Sequence, residues 1–293
     1  MKKKLTICAF GLAIAASYYY GLVSHKYYLP PFPQLMSLKN HIFPGSIGYS
    51  DASSRKHVPC ETLNGKRVMV ALVFGQSNSG NHGETILRPE NEVYNFFRGR
   101  CYRAEDPLLG TTGDRGSIWT RLGDLLVRQG RYEASVFIPI GVGTTTMEQW
   151  TKGGYLHSRI IAAVRESRAS GLTITHMLWV QGGSEKRTSG DTGNKENYKK
   201  NFSAMLQSIR SMGVKAPIFV ANSTYNGIDC NRDIQDAQRE LADAKKGIFT
   251  GPDDDRLFQN PANRWELVHL SNQGLRQCAK AWFTAIQNVE KHN

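Results

Sequence analysis

Residues 67–83 read RVMVALVFGQSNSGNHG, and this stretch decides the fold. The apolar run Val68–Phe74 is rich in β-branched residues and too short for a helix, so we predict a buried strand. Gly75 permits a sharp turn directly after it, and a polar cluster follows. Ser77 then lies just beyond the carboxyl end of the strand, which is where open α/β sheets bind their ligands. Such a serine is either an exposed nucleophile or, like Asn78, the cap of a following helix.

The rest of the chain alternates short apolar runs with amphipathic segments. Further strands are predicted over residues 134–140, 173–180 and 217–221, with a short fifth strand over 247–250, and helices over 117–129, 156–170, 195–212, 235–246 and 272–290. Strands that alternate with helices indicate parallel β-α-β units with right-handed crossovers. The predicted fold class is therefore α/β, a three-layer sandwich with a central parallel sheet of about five strands. Residues 98–116 are rich in turn formers, and we expect loops there.

The N-terminal segment indicates export. A lysine triplet precedes residues 5–23, which carry no charge and are long enough to span a bilayer. Residues 1–23 are either a cleaved signal peptide or an uncleaved signal anchor in the inner membrane, which we favour because the apolar run continues past the small residues at 13–15. Both interpretations place the body of the protein outside the cytoplasm, in the periplasm, at the cell surface or secreted. Residues 24–58 are expected to be a juxtamembrane linker, and residues 59–293 the folded domain.

Charge and cysteine content narrow the possible partners. The net charge is +12, but the basic residues are dispersed rather than gathered with aromatics, which argues against nucleic-acid binding. A general positive field favours an anionic polysaccharide or a membrane surface instead. Four cysteines follow the N-terminal segment, and chain proximity favours disulfides Cys60–Cys101 and Cys230–Cys278, with four unpaired thiols as the alternative. The cysteine and histidine spacings do not match a zinc site, so neither metal nor cofactor is expected.

A second polar cluster, RWELVHLSNQG at residues 264–274, leads into the last predicted helix. Glu266 and His269 are three residues apart, so one turn can present both side chains to the same site. A serine nucleophile needs a base to remove its proton and an acid to orient that base. One of the aspartates at 253–255 could supply the acid instead, or the site could work as a dyad without it.

Four blocks of the sequence, taken in order, carry a resemblance to a known family. They are GQSN at 75–78, GTTTMEQW at 143–150, WVQG at 179–182 and Glu266-x-x-His269. Over roughly residues 67–285 the chain resembles the SGNH, or GDSL-like, hydrolases, and most closely their branch of sialate O-acetylesterase-like carbohydrate esterases. The resemblance implies a flavodoxin-like three-layer fold and a serine esterase that removes O-acetyl groups from carbohydrate without a cofactor.

The same resemblance implies a role for individual residues. Ser77 is the nucleophile, His269 the general base, and Glu266 the orienting acid in place of the family's usual aspartate. The backbone N–H groups of Ser77 and Gly143, together with the side chain of Gln181, form the oxyanion hole. Losing one such donor typically costs about 100- to 1,000-fold in rate.

Further positions are expected around this centre. Gln76, Asn78 and Trp150 are candidate substrate-binding residues, although Asn78 could instead brace the turn and Trp150 could anchor its loop in the core. Two positions depart from the family pattern. Gly183 stands where the family has a glutamate, which Glu185 is a candidate to replace, and Thr144 stands where a second glycine is common. Outside the blocks, we expect structural or surface roles for three histidines, namely His82, His157 and His176.

Three functions follow from these residues. The main hypothesis is an extracytoplasmic carbohydrate O-acetylesterase. The same triad would also serve a polysaccharide O-acetyltransferase, in which a sugar hydroxyl replaces water as the acyl acceptor. The departures at Gly183 and Glu266 leave a third hypothesis, a catalytically silent glycan-binding protein with the same fold.

Overall fold

The computed structural model describes residues 13–24, 31, 35, 38, 42, 47–185 and 193–291. The chain forms two compact units, Met1–Gly45 and Ser46–Asn293. In the first unit, residues 13–24 are helical. Among the described residues, no helix combines the length and the apolar character needed to cross a membrane. The anchor predicted over residues 5–23 lies partly outside the described residues, which begin at residue 13.

The second unit contains all the named strands and helices. Its strands are β1 (His57–Val58), β2 (Val68–Gly75), β3 (Val93–Phe97), β4 (Arg100–Arg103), β5 (Ala134–Pro139), β6 (His176–Val180), β7 (Ile218–Asn222), β8 (Ile248–Asp253), β9 (Arg264–Trp265) and β10 (His269–Leu270). Its α-helices are α1 (Ile118–Arg128), α2 (Met147–Trp150), α3 (His157–Ala169), α4 (Gly193–Ser211), α5 (Arg232–Glu240), α6 (Asp254–Phe258) and α7 (Asn272–Glu290). Short 3-10 turns occupy Cys60–Leu63, Ser77–Ser79, Ala244–Lys246 and Pro261–Asn263.

Eight strands form one sheet in the order β1-β4-β3-β5-β2-β6-β7-β8, and β9 and β10 form a separate antiparallel pair. Every neighbouring pair from β3 across to β8 is parallel. Only the edge is antiparallel, where β4 pairs with β3 and β1 pairs with β4. The predicted parallel α/β fold is confirmed, whereas the sheet of eight strands is larger than the five expected.

The alternation of side chains along β2 explains the three layers. Val70, Leu72 and Phe74 point into a core shared with α3 and α4, while the intervening Met69, Ala71 and Val73 point into a core shared with α1 and α7. A strand places successive side chains on opposite faces of its sheet. Because both faces of a parallel sheet are covered by helices, such strands read as continuous apolar runs. This is why the run after Arg67 identified the central strand.

The missed strands, β1, β4 and β3, lie together at one side of the sheet. Residues 98–116 were expected to be loops, but β3 and β4 form a hairpin around Arg98 and Gly99, both with positive φ. This turn was not predicted, because Arg98 precedes Gly99 where such hairpins usually have Asn-Gly or Asp-Gly. Arg100 and Arg103, at the two ends of β4, also interrupted the apolar pattern. In addition, β1 lies inside the predicted linker 24–58 and pairs with β4. The second compact unit already begins at Ser46.

The helix predicted over residues 235–246 is also divided. Its α-helical part is α5, which starts earlier because the side chain of Asn231 caps it by accepting from the backbone N–H of Ile234. A separate 3-10 turn, Ala244–Lys246, follows after Asp243 caps it in the same way. Because each of the two caps begins its own helical segment, two segments form where the sequence indicated a single helix.

Of the two predicted disulfides, one is confirmed and one is wrong. Cys60 and Cys101 are bonded, with a Cα–Cα distance of 5.4 Å. Cys230 and Cys278 are both free thiols. Cys278 is buried in α7, where its Sγ lies 3.2 Å from Oδ1 of Asp254, and burial raises the pKa of this thiol well above its usual value. Cys230 belongs to the loop before α5, so chain proximity did not bring the two together.

Removing the Cys60–Cys101 bond should destabilise the fold by about 4 kcal/mol, because it closes a loop with a sequence separation of 41 residues. The measurement is the free energy of unfolding in urea for the Cys60→Ala, Cys101→Ala double variant. The Cys230→Ala variant is the control, since this cysteine is free and should cost little. Equal stability of the double variant and the unmodified protein would contradict the prediction.

Candidate active site

Ser77 opens the 3-10 turn that directly follows β2. Gly75, just before it, has φ of +124°, and a Cβ atom there would lie 2.0 Å from the carbonyl oxygen of Val180. Only glycine fits such an approach. The next backbone N–H, that of Gln76, donates to the same carbonyl at 2.8 Å. The turn that carries Ser77 is thereby fixed at the carboxyl ends of β2 and β6.

The strand pair β9–β10 brings His269 to this turn. His269 lies directly opposite Trp265 in the pair, and only 2% of its surface is exposed. The side-chain amide of Asn78 donates to the carbonyl oxygen of Val268 at 3.1 Å, so the residue after Ser77 holds the residue before His269. Asn78 thus braces the turn, which is one of the two roles expected of it.

Glu266 lies beside His269 on the same loop. Its Oε2 is 3.8 Å from Nδ1 of His269, which is an ion-pair distance and too long for a hydrogen bond. The Glu266 side chain is 40% exposed, and Glu266 and Leu267 both have left-handed backbone angles, with φ of +47° and +70°. Because the carboxylate faces Nδ1, the other ring nitrogen, Nε2, is the one available to a serine.

The alternative acids at 253–255 all have other partners. Asp253 caps α6 by accepting from the N–H of Arg256, and Asp254 receives the Cys278 thiol. Asp255 accepts from the backbone and the hydroxyl of Thr224, each at 2.6 Å. These bonds cap α6, join it to α7 and organise the loop after β7, and Glu266 is the carboxylate placed at His269.

Gly143 lies next to Ser77 and His82. A Cβ atom built on Gly143 would lie 3.6 Å from Cβ of Ser77 and 3.5 Å from both Cε1 and Nε2 of His82. However, the N–H of Gly143 donates to Oγ1 of Thr112 at 2.8 Å. This predicted oxyanion-hole group therefore lies in the right place but already has an acceptor.

Gln181 is likewise engaged. Its Nε2 donates to the carbonyl oxygen of Thr145 at 3.0 Å and to Oε1 of Glu185 at 2.6 Å. A side-chain amide has two hydrogens, and two acceptors use both of them. The same two acceptors fix the orientation of the amide, because a flip would set oxygen against oxygen. Gln181 is completely buried, and in this structure it braces the site instead of donating to an oxyanion.

The structure accounts for the departure at Gly183. A Cβ atom there would lie 2.7 Å from the carbonyl oxygen of Tyr225 and 2.9 Å from Nε2 of Gln76, so a glutamate has no room. Glu185 supplies a carboxylate nearby, where Oε1 also accepts from the N–H of Met147 at 2.6 Å. Burial raises the pKa of Glu185. This side chain joins the second block to the third.

Two expected substrate-binding residues have structural roles. Trp150 is completely buried, with its ring edge-on to Phe74 and Trp179 and its Nε1 donating to Oγ1 of Thr145 at 3.1 Å. It anchors the loop in the core, and a buried ring cannot stack on a sugar. Gln76 accepts from the N–H groups of Gly182 and Ser184 at 3.1 and 3.2 Å, which holds the third block in place.

His82, for which a structural or surface role was expected, lies beside His269. Its ring stacks on that of His269, with centroids 5.0 Å apart and planes 29° apart. Its Nε2 lies 3.1 Å from Oγ1 of Thr112. Burial, and then the neighbouring His269, hold the pKa of His82 well below its usual value. The one sequence feature that indicated a place near the site was its position five residues after Ser77. His157 and His176 contact Ser208 and Glu290 instead.

The matching family is one of carbohydrate esterases, the sialic acid-specific acetylesterases, whose sequence profile covers residues 67–285. The chain belongs to this family. The resemblance stated from the four blocks is thereby confirmed. A curated Arabidopsis thaliana protein, named as a probable carbohydrate esterase, is 30% identical over 73 residues. That match covers 25% of this chain and only 27% of the relative.

Solved structures support the fold of the family. A protein from Arabidopsis thaliana superimposes with a TM-score of 0.62 at 18% identity, over 76% of this chain and 99% of the other. The structure of NanS gives a TM-score of 0.54 at 14% identity, over 78% of this chain and 98% of the other. At these identities the similarity concerns the fold alone.

Proposed function

We propose that the protein is a serine esterase that removes O-acetyl groups from carbohydrate. The observation that carries the proposal is the convergence of Ser77, His269 and Gly143 at the carboxyl edge of the sheet. Membership in a carbohydrate esterase family supports the substrate class. Glu266, on the same loop as His269, completes a Ser-His-acid set.

The proposed reaction has two steps. The hydroxyl oxygen of Ser77 attacks the acetyl carbonyl carbon while Nε2 of His269 takes its proton. The bond from the carbonyl carbon to the sugar oxygen then breaks, and His269 returns the proton to that oxygen. Water attacks the acetyl-serine by the same route, which releases acetate and restores the Ser77 hydroxyl. Glu266 orients His269 and stabilises the positive charge that it carries between the proton transfers.

We also propose an anionic carbohydrate as the substrate. Arg115 places its guanidinium 5.4 Å from the ring centroid of Trp265, the residue opposite His269 in the strand pair. The backbone N–H of Arg115 donates to the carbonyl oxygen of Asn81, on the loop that follows Ser77. A cation at the edge of the site, together with the net charge of +12, favours a negatively charged sugar or polysaccharide.

An extracytoplasmic location is part of the same proposal. The Cys60–Cys101 disulfide suits an oxidising compartment such as the periplasm or the cell surface. The lysine triplet and the uncharged segment after it are the sequence features of a signal or an anchor that would tether the domain to the inner membrane.

The test is acetate release by the full chain from p-nitrophenyl acetate, from O-acetylated neutral sugars and from O-acetylated sialic acid. A fluorophosphonate probe, mapped by mass spectrometry, reports whether Ser77 is nucleophilic. We expect stoichiometric labelling of Ser77, acetate release, and a higher kcat/KM for the anionic ester. Acetyl transfer that needs a glycan acceptor would indicate the transferase instead. Absence of labelling and of both activities would overturn the proposal in favour of a silent glycan-binding protein.

A further inference from the structure

The proposed esterase needs hydrogen-bond donors where the acetyl carbonyl oxygen becomes negative, and two of the three expected donors are occupied. The N–H of Gly143 donates to Thr112, and both amide hydrogens of Gln181 donate to Thr145 and Glu185. The backbone N–H of Ser77 remains as the third. A single donor is a poor oxyanion hole, because such sites stabilise the developing charge with several converging dipoles.

The hydroxyl of Thr112 lies where the Gly143 N–H was expected to act. Its Oγ1 is 2.8 Å from the nitrogen of Gly143, whose own neighbours are Ser77 and His82. The backbone of Thr112 is fixed on both sides, because its N–H donates to the carbonyl oxygen of Gly141 at 3.1 Å and its carbonyl oxygen accepts from Asn81 at 2.8 Å. The side chain is partly exposed.

Counting hydrogens assigns a direction to this hydroxyl. A threonine oxygen has two lone pairs and one proton. One lone pair accepts from the N–H of Gly143 at 2.8 Å, and the other can accept from Nε2 of His82 at 3.1 Å. When both lone pairs accept, the single proton of Thr112 has no partner in this network and is directed away from both donors.

His82 is well held for the role of donor to Thr112. The backbone N–H of Asn81 donates to Thr112, and the N–H groups of Gly83 and Gly116 donate to each other's carbonyl oxygens at 2.9 and 3.0 Å. These bonds clamp the chain on both sides of His82. Its ring packs face to face on His269. The lowered pKa of His82 keeps one ring nitrogen protonated and the other not at neutral pH.

We propose that the hydroxyl of Thr112 is an oxyanion-hole donor and that His82 positions it by donating from Nε2. The charge of the tetrahedral intermediate is then stabilised by the Thr112 proton and the Ser77 N–H, while Gly143 orients the threonine oxygen. This inference rests on the proposed esterase activity and adds a residue that lies outside the four family blocks.

The first test compares Thr112→Val, which keeps the shape of the side chain but loses the hydroxyl, with Thr112→Ser, which keeps the hydroxyl. We expect kcat for p-nitrophenyl acetate to fall about 100-fold in Thr112→Val, with KM changed less than about threefold, because the donor acts on the transition state. Thr112→Ser should recover most of this loss. Thr284→Val, on the exposed face of α7, controls for the type of substitution and should leave kcat unchanged.

The second test addresses His82. His82→Phe keeps a flat ring against His269 but has no donor, so kcat should fall about tenfold through the loss of Thr112 orientation. The Thr112→Val, His82→Phe double variant should then be no slower than Thr112→Val alone. If the two residues had independent structural roles, their fold-losses in kcat would multiply instead. In addition, ¹⁵N-histidine NMR at neutral pH should show His82 protonated on Nε2.

The outcomes separate this inference from the proposed function. If the unmodified chain releases acetate and Ser77 is labelled, but Thr112→Val retains full kcat, only the inference is overturned. An Nδ1–H tautomer of His82 would overturn it as well, because Thr112 would then donate its proton to Nε2. If the unmodified chain neither releases acetate nor labels at Ser77, the proposed function itself has failed.

Discussion

Alanine at position 77 should reduce kcat for acetyl-ester hydrolysis by at least about 10⁴-fold, since it removes the atom that forms the acyl-enzyme. KM should change little, because a missing hydroxyl affects bond formation more than substrate binding. Steady-state acetate release, followed alongside the unmodified chain, measures the effect. The size of the loss follows from the position of Ser77 at the end of β2, beside His269 and Gly143.

Ser79→Ala provides the matched control within the same turn. Ser79 is completely buried, and its hydroxyl donates to the carbonyl oxygen of Gln76 at 2.6 Å, so it has a structural partner of its own. Its loss removes one hydrogen bond, worth about 1 kcal/mol of folding stability, and should leave most of the activity. Equal losses in the two variants would show that the turn, and not a nucleophile, had been damaged. Full activity in Ser77→Ala would exclude the serine mechanism.

The central layers of the fold could be predicted because burial dominates there. The five predicted strands are present as β2, β5, β6, β7 and β8. The first four are predominantly apolar, because helices cover both faces of a parallel sheet, whereas β8 lies at the edge and is partly exposed. Helix α7 was predicted with its observed bounds. The strands β1, β4 and β3, at one side of the sheet, were missed, since β1 has only two residues, β4 begins and ends with arginine and the hairpin turn uses Arg98.

The positions of the site residues could be predicted, but their hydrogen bonds could not. Ser77 follows β2 at the carboxyl edge of the parallel sheet, where a ligand site was expected, and the separate β9–β10 pair brings His269 to the same turn. The hydrogen bond from the N–H of Gly143 to Thr112 could not be predicted, because Thr112 lies in the loop between β4 and α1, outside the four family blocks. The position of His82 beside His269 could not be predicted either, since this stacking joins residues 187 positions apart and leaves no local pattern.

At two positions of the site, residues that differ from the family pattern still make contacts that hold the site together. Thr144 has φ of +60°, a left-handed conformation that glycine adopts at less cost, which accounts for the glycine common in the family. Its hydroxyl donates to the carbonyl oxygen of Gly143 at 2.6 Å. Glu185 joins the second and third blocks although Gly183 has no side chain. Such substitutions are visible in the sequence, but only their contacts show that the site is still assembled.

Replacing His269 by alanine should also lower kcat by about 10⁴-fold, because it removes the proposed acceptor of the Ser77 proton. Glu266→Gln should cost much less, about 10- to 100-fold. Its Oε2 lies 3.8 Å from Nδ1 of His269 and its side chain is 40% exposed, so solvent screens the attraction. Glu61→Gln, at an exposed position in the turn after β1, is the control for removing one negative charge.

The double variant distinguishes an orienting acid from a second, independent contribution. If Glu266 acts only through His269, the Glu266→Gln change should have no further effect in the His269→Ala background, so the two losses are strongly non-additive. Single-turnover acetylation of Ser77 by p-nitrophenyl acetate measures this directly for all four proteins. Multiplying losses would show that Glu266 contacts the substrate instead, and a Glu266→Gln variant with full activity would indicate a Ser77–His269 dyad that works without the acid.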